Sequence, residues 1–369
     1  MSKIFELYGY RLDHWSAQAE ENLKSAWCPF MNVECNGGGN RFQSAITCYN
    51  NPKLSAKIPN KNIIQVGICS ILTRAGEQPW IVCPHRLLSL KGEAISERQL
   101  FVRRQLSKYA EIEASHKHFI WSEVKIKTNS LNSEMESKIF DCKFDYILSG
   151  VQPERIADIS SFLNLSIDKV KLAAESNGYT LVMRNGEFWV DDFPSDPLII
   201  IEVMTSSTSG GNKRNRTQMA MACEDAILNG KEHKAPGINY RQVWARMVSQ
   251  LIVKSQVGMA WGGKTIWVLQ DVLAEYISRS TGLVLSKHRS DCLNEVNIMT
   301  FGYGDKKDTD KNSIIEMENH ELFTGPIIQS RDSFKHDGFI DIVKIGEAPP
   351  KTLLWKALLN KTPIGVWNS

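Results

Sequence analysis

The 369-residue sequence contains no apolar run approaching the roughly twenty residues that a membrane-crossing helix needs. Its first residues, Met1-Ser-Lys-Ile-Phe-Glu, do not lead into an apolar segment closed by a small-residue cleavage site. No membrane partner is expected, and the chain is read as cytoplasmic. Low-complexity tracts are absent, so a globular protein with two or three cores is expected. No strong charge excess exists either: 44 Lys and Arg against 41 Asp and Glu leave +3, which permits nucleic-acid binding without demanding it. Residues 206–211 match no Walker pattern, which speaks against an enzyme acting on a small-molecule phosphate. No C-x-x-C pair occurs, and a two-knuckle zinc finger is thereby excluded.

What the chain does have is a concentration of cysteine. Five of its eight cysteines fall between positions 28 and 83. Four stand in short turn-like contexts: Cys28-Pro-Phe, Val-Glu-Cys35, Gly-Ile-Cys69-Ser and Val-Cys83-Pro-His-Arg. A thiolate-only tetrahedral site suits zinc or iron, which accept soft sulfur ligands and contribute directly to folding. Cys48 is a fifth candidate. The alternative is a set of buried free thiols. Clustering argues against it, because only Cys142, Cys223 and Cys292 serve the rest of the chain.

Periodicity divides the chain into residues 1–90, a loop-rich cysteine module; residues 91–290, a core of alternating elements; and residues 291–369, a C-terminal region of no assignable role. Within the core, residues 97–113 have helical spacing, while residues 118–127 alternate like a half-buried strand. Further strands are expected over 144–148, 197–204 and 265–270. Helices are expected over 216–228, over 240–257 and from 271 to a stop before Gly282. The fold class is α/β (α+β), a mixed sheet flanked by helices.

Residues 151–193 read as an inserted winged-helix-like unit. Residues 154–164 are helical, Ser166 caps a second helix running to Asn177, and Gly178 supplies the left-handed residue beyond it. Asn185-Gly186 is the two-residue turn of a hairpin wing. The second helix would face a DNA groove. The competing reading is a packing insert, since Asp168 and Glu175 dilute its positive charge.

Two carboxylates interrupt apolar strands: Asp145 in Phe-Asp-Tyr-Ile-Leu and Glu202 in Ile-Ile-Ile-Glu-Val-Met. Burying a charge there is costly unless a cation or a partner compensates it. Phosphodiester hydrolysis needs a hard divalent cation on oxygen ligands, which acids on adjacent strands supply. Glu123, in Trp-Ser-Glu-Val-Lys, is a third such acid. The alternative is structural ion pairing with Lys or Arg.

Taken together, the cysteine contexts, Trp80-Ile-Val-Cys83-Pro-His-Arg86, Phe144-Asp145-Tyr and Ile201-Glu202-Val resemble the NotI-type restriction endonucleases, of the PD-(D/E)xK superfamily. The likeness spans residues 27–282. It implies a PD-(D/E)xK restriction-endonuclease-like core behind an N-terminal four-cysteine metal site, with Cys28, Cys35, Cys69 and Cys83 holding structural iron or zinc. It further implies that Asp145 and Glu202 bind catalytic Mg2+, and that a homodimer cuts double-stranded DNA at a palindrome. A cognate DNA methyltransferase in the same host follows from that. One position departs: where the family carries lysine or glutamine two residues after the glutamate, this chain has Met204, and a thioether neither binds a hard ion nor relays a proton.

The expected function is therefore type II restriction endonuclease. Asp145 and Glu202 hold the ion, Glu123 assists, and Lys213 or Gln218 reaches the site in place of the residue missing at 204; a bound water in that role and a weakened nuclease are the other two readings. Lys213, Arg214 and Arg216, with Arg241 and Arg246 on the following helix, are the candidates for backbone phosphates. Val243, Trp244, Met247 and Leu251 on that helix read as core. His116 and His118 read as surface groups. The rival reading is a metal-stapled DNA-binding regulator without chemistry, which Met204 favours but which has no need of two acids buried in neighbouring strands.

Overall fold

A computed structural model of the chain describes residues 1–39, 44–90, 97–110, 112, 117–129, 138–281, 286–287, 295–304, 314–315, 317–326 and 348–367. The protein is mixed α/β. Its main sheet runs, in spatial order, Ser286–Lys287, Glu318–Pro326, Glu295–Gly302, Lys264–Gln270, Glu187–Val203, Lys138–Arg155, His118–Asn129 and Gly365–Trp367, with Leu181–Arg184 paired to the start of the Glu187–Val203 strand. The pairing is mixed as expected. Glu187–Val203 lies antiparallel to Lys138–Arg155 and parallel to Lys264–Gln270, which is parallel to Glu295–Gly302.

The two strands that carry the acids are far longer than their apolar cores suggest, at 18 and 17 residues. Both continue into the winged unit. There Arg155 pairs with Trp189 and Glu154 with Val190, and the hairpin closes through Asn185 and Gly186 at φ 51° and 81°. The two helices are Ile156–Leu163 and Ile167–Ser176, the second capped by Ser166, whose hydroxyl accepts from the Lys169 amide. The helix, helix and wing order thus holds.

The unit is nonetheless no appendage. Ile159, Leu163, Val170, Ala174, Tyr179, Val190 and Phe193 share one buried cluster with Trp121, Phe144 and Ile147 of the sheet. The Tyr179 hydroxyl donates to the Leu358 carbonyl at 2.7 Å, which ties the unit to the C-terminal helix Lys351–Leu359. Along the strands the wing is also far from the acids: ten residues separate Arg155 from Asp145, roughly 33 Å at the rise of an extended strand.

The C-terminal region, which carries no readable motif, supplies strands at both sides of the sheet. Glu295–Gly302 and Glu318–Pro326 extend one side, and Gly365–Trp367 pairs with His118–Ile120 at the other. His118 is consequently 1% exposed and not a surface group. His116, Cys292 and the charge run 305–311 lie outside the described residues.

The cysteine module is built from short strands, as its loop-rich sequence predicts. Tyr10–Arg11, Lys3–Leu7, Ile68–Leu72 and Trp80–Ile81 form one small sheet, beside the pairs Trp27–Cys28 with Val33–Glu34 and Ala45–Thr47 with Ile63–Gln65. It packs into the rest of the molecule through a continuous cluster from Ile4, Leu7 and Leu54 to Cys223, Trp267 and Leu273. A fully buried ion pair seals the join: Arg86 and Glu6 meet at 2.8 Å, with the Arg86 guanidinium also donating to the Ile315 carbonyl at 2.7 Å. Among the described residues no helix is long and apolar enough to cross a membrane.

Candidate metal-dependent active site

Asp145 and Glu202 face each other where two strands part. Their ladder runs in register up to the Tyr146 and Ile201 pair. One step further the side chains replace the backbone: the Asp145 amide donates to Glu202 Oε1 at 3.3 Å, and the Val203 amide donates to Asp145 Oδ2 at 2.9 Å. Each acid thus satisfies the opposing strand's orphaned donor. The separation opens a cavity of about 450 Å³. Both acids line it.

Glu123 stands in the same transverse row. The ladder pairs Phe144 with Val124 and Tyr146 with Ser122, so Glu123 lies across from Asp145 on the next strand. Its φ of 57° is the left-handed conformation that side chains disfavour, a local kink that turns it to the cavity rim. There it is 43% exposed and ion-paired with Lys143.

The residue that the sequence lacks at position 204 arrives from elsewhere. Lys254, on the helix Tyr240–Ala260, places Nζ 2.5 Å from Glu202 Oε2. Met204 itself is 7% exposed, and its side chain joins the apolar cluster while touching the cavity wall. Lys213 is exposed and does not line the cavity, and Gln218 serves as the residue preceding the helix Met219–Asn229. Lys254 was missed because the apolar stripe dominates that helix. The polar stripe Arg246, Gln250, Lys254, at intervals of four, was the available signal, and all three line the cavity.

Electrostatics make the trio interdependent. Burial, then the Asp145 charge, push the Glu202 carboxyl up to about 8, against the pull of Lys254. For Lys254, burial works against the charge, yet Glu202 and Asp145 outweigh it and hold the ammonium above its ordinary value. The buried pair and half-buried Asp145 therefore form a site with two carboxyls and one cation. Gain of a divalent ion would let both carboxyls ionise.

Of the proposed phosphate contacts, Arg246 lies at the cavity and donates to Ser207 Oγ at 3.2 Å. Arg241 is exposed on the same helix, and Arg214 on the preceding turn. Arg216 is committed within the chain, held at 2.8 Å by Asp225 and at 3.0 Å by Glu224.

The four cysteines chosen from their contexts do come together. Cys28, Cys69 and Cys83 are buried in one small cluster with Phe30 and Met31, and Cys35 packs against it. Burial first, then the neighbouring thiols, raise Cys35, Cys69 and Cys83; every pair among the four is close enough to act in this way. Cys48 is excluded, since it sits in the other core near Cys223. As the side chains stand, no group of three or more His, Cys, Asp or Glu among the described residues forms a metal cage. The donor chemistry of the cluster, four sulfurs, fits a soft ion such as zinc or iron. The cluster also builds one wall of the cavity, because Asn36 and Gly38, next to Cys35, and Pro84 and His85, next to Cys83, line it.

No family model matches this chain, and neither a curated protein nor a solved structure does.

Proposed function

We propose that the protein is a Mg2+-dependent, site-specific endonuclease of the type II restriction kind, acting on double-stranded DNA. One observation carries the reading: Asp145, Glu202 and Lys254 converge on a single cavity from three separate elements. A hard divalent cation held by the two carboxylates would activate water and offset charge on the leaving oxygen.

The chain's own groups have distinct tasks. Asp145, fixed by the Val203 amide, and Glu202, fixed by the Asp145 amide, are preorganised as oxygen ligands. Lys254 compensates the buried acids before substrate arrives and offers its ammonium to the negative charge that grows on the phosphate during attack. Glu123 and Lys143 border the entrance, and Arg246 meets the backbone beside it. The four-cysteine cluster, loaded with iron or zinc, holds the wall that carries His85 and Asn36. A homodimer supplies one such site per strand of a palindrome, and a cognate DNA methyltransferase would protect the host.

A plasmid digest with Mg2+ tests this. The parent protein is expected to give discrete fragments, and Asp145→Ala and Glu202→Ala none; sequencing the fragment ends then reads the target site. A parent that binds DNA yet cuts none would instead leave a metal-stapled regulator.

A further inference from the structure

Beyond the cavity, the hairpin formed by His118–Asn129 and Lys138–Arg155 carries three lysines beside the acids Glu123 and Asp141, and two of the lysines are set where folding alone disfavours them. Lys125 lies directly across from Lys143 in the antiparallel register. Like charges set opposite each other on one face of a sheet repel. Lys127 follows two residues on, hence on the same face, and exposure alternates strictly over Glu123, Lys125 and Lys127 against buried Val124 and Ile126. The side chains remain 54%, 44% and 54% exposed for Lys125, Lys127 and Lys143. Lys125 and Lys127 share a single carboxylate, Asp141, at 4.0 and 3.9 Å, the outer limit of an ion pair.

This row begins at the catalytic cavity, because Lys143 is part of its lining and Lys125 is the cross-strand neighbour of Lys143. Moving outward, the strand advances about 3.3 Å per residue, so Lys127 stands roughly 13 Å beyond Glu123. Partly solvated lysines spaced along strands that lead away from a phosphodiester-cleaving site match a polyanion's backbone, whose phosphates would replace the Asp141 and Glu123 carboxylates as their partners.

We propose that Lys143, Lys125 and Lys127 form a backbone clamp that binds successive phosphates flanking the scissile one. The clamp rests on the nuclease reading for its placement. Its binding role is read separately from cleavage.

The test is duplex binding as a function of salt, with Ca2+ in place of Mg2+, for the parent, K125Q/K127Q and K125R/K127R. Each lysine that neutralises a phosphate contributes about 0.9 to the slope of log affinity against log salt, so the glutamine pair is expected to lose about 1.8 and the arginine pair to keep the parent slope. With Mg2+, the glutamine pair should raise KM and leave the rate at saturating DNA near the parent's. Circular dichroism checks that both variants fold. An unchanged slope in the glutamine pair overturns the clamp, as does a parent that binds no duplex. A parent that binds with the expected slopes but never cuts sinks the nuclease reading and leaves the clamp standing.

Discussion

Lys254 Nζ stands 2.5 Å from Glu202 Oε2, although 52 residues separate them and one is on a helix and the other in a strand. Both are nearly inaccessible to solvent, at 8% and 2%, so removing either leaves the other's polar group buried without its partner. Replacing Lys254 by methionine keeps the volume and removes the cation. Under the nuclease reading the cleavage rate should fall by about 10²- to 10³-fold, the usual cost of deleting one preorganised electrostatic group. Lys254→Arg should recover part of it, and single-turnover cleavage measures both.

The pH profile follows from Glu202. Its carboxyl is raised from an ordinary 4.5 to about 8, so at neutral pH the folded protein without a divalent ion favours the protonated form. Because the folded value lies above the unfolded one, its stabilising contribution is complete below the ordinary carboxylate range and is lost as pH rises through about 8. Mg2+ must displace that proton. Cation affinity should therefore climb with pH up to about 8 and then level. Calorimetric titration in roughly unit steps of pH, from about 6.5 to about 8.5, reads this as proton release that shrinks with rising pH.

Gly258 lies one helical turn beyond Lys254, where a Cβ would collide with Thr265 Oγ1 and come within 3.2 Å of Ile200 Cδ1. Gly258→Ala should push the helix off the sheet and carry Lys254 with it. The expected result is destabilisation of about 1–3 kcal/mol from overpacking, seen in urea denaturation, together with a lower cleavage rate.

Among the cysteines, Cys69→Ser and Cys83→Ser should strip bound iron or zinc and lower the thermal midpoint, while Cys48→Ser should retain the full metal content. Elemental analysis of the purified variants decides this. Equal loss in Cys48→Ser would contradict its placement in the other core.

Tyr179 tests whether the winged unit belongs to the main core. Tyr179→Phe removes the hydrogen bond to the Leu358 carbonyl and should cost about 1 kcal/mol in a single cooperative unfolding transition. A separate early transition for residues 151–193 would show an independent unit.

Much was legible locally. Ser166, Asn185-Gly186 and Gly178 mark their cap and turns because the backbone conformations there need those residue types. Asp145 and Glu202 stood out because a charge inside an apolar strand has few physical justifications, and four cysteine contexts stood out as turn-like, although Cys48 stayed open until the structure put it in the other core. Strand lengths were underestimated, since Lys138–Arg155 and Glu187–Val203 continue through polar residues that only cross-strand pairing holds extended.

The amino-acid sequence by itself determined which acids interrupt apolar strands, which thiols cluster, and which stretches alternate or turn, because these depend on a residue's immediate neighbours. Tertiary structure alone decided that Lys254 rather than Lys213 meets Glu202, that the C-terminal strands supply both sides of the sheet, and that the cysteine cluster walls the acidic cavity. The physical reason is that periodicity specifies which face of a helix or strand is buried but not the partner it is buried against. That partner is chosen by the fit of whole surfaces, such as the close approach of Gly258 to Thr265 that carries Lys254 to the acids.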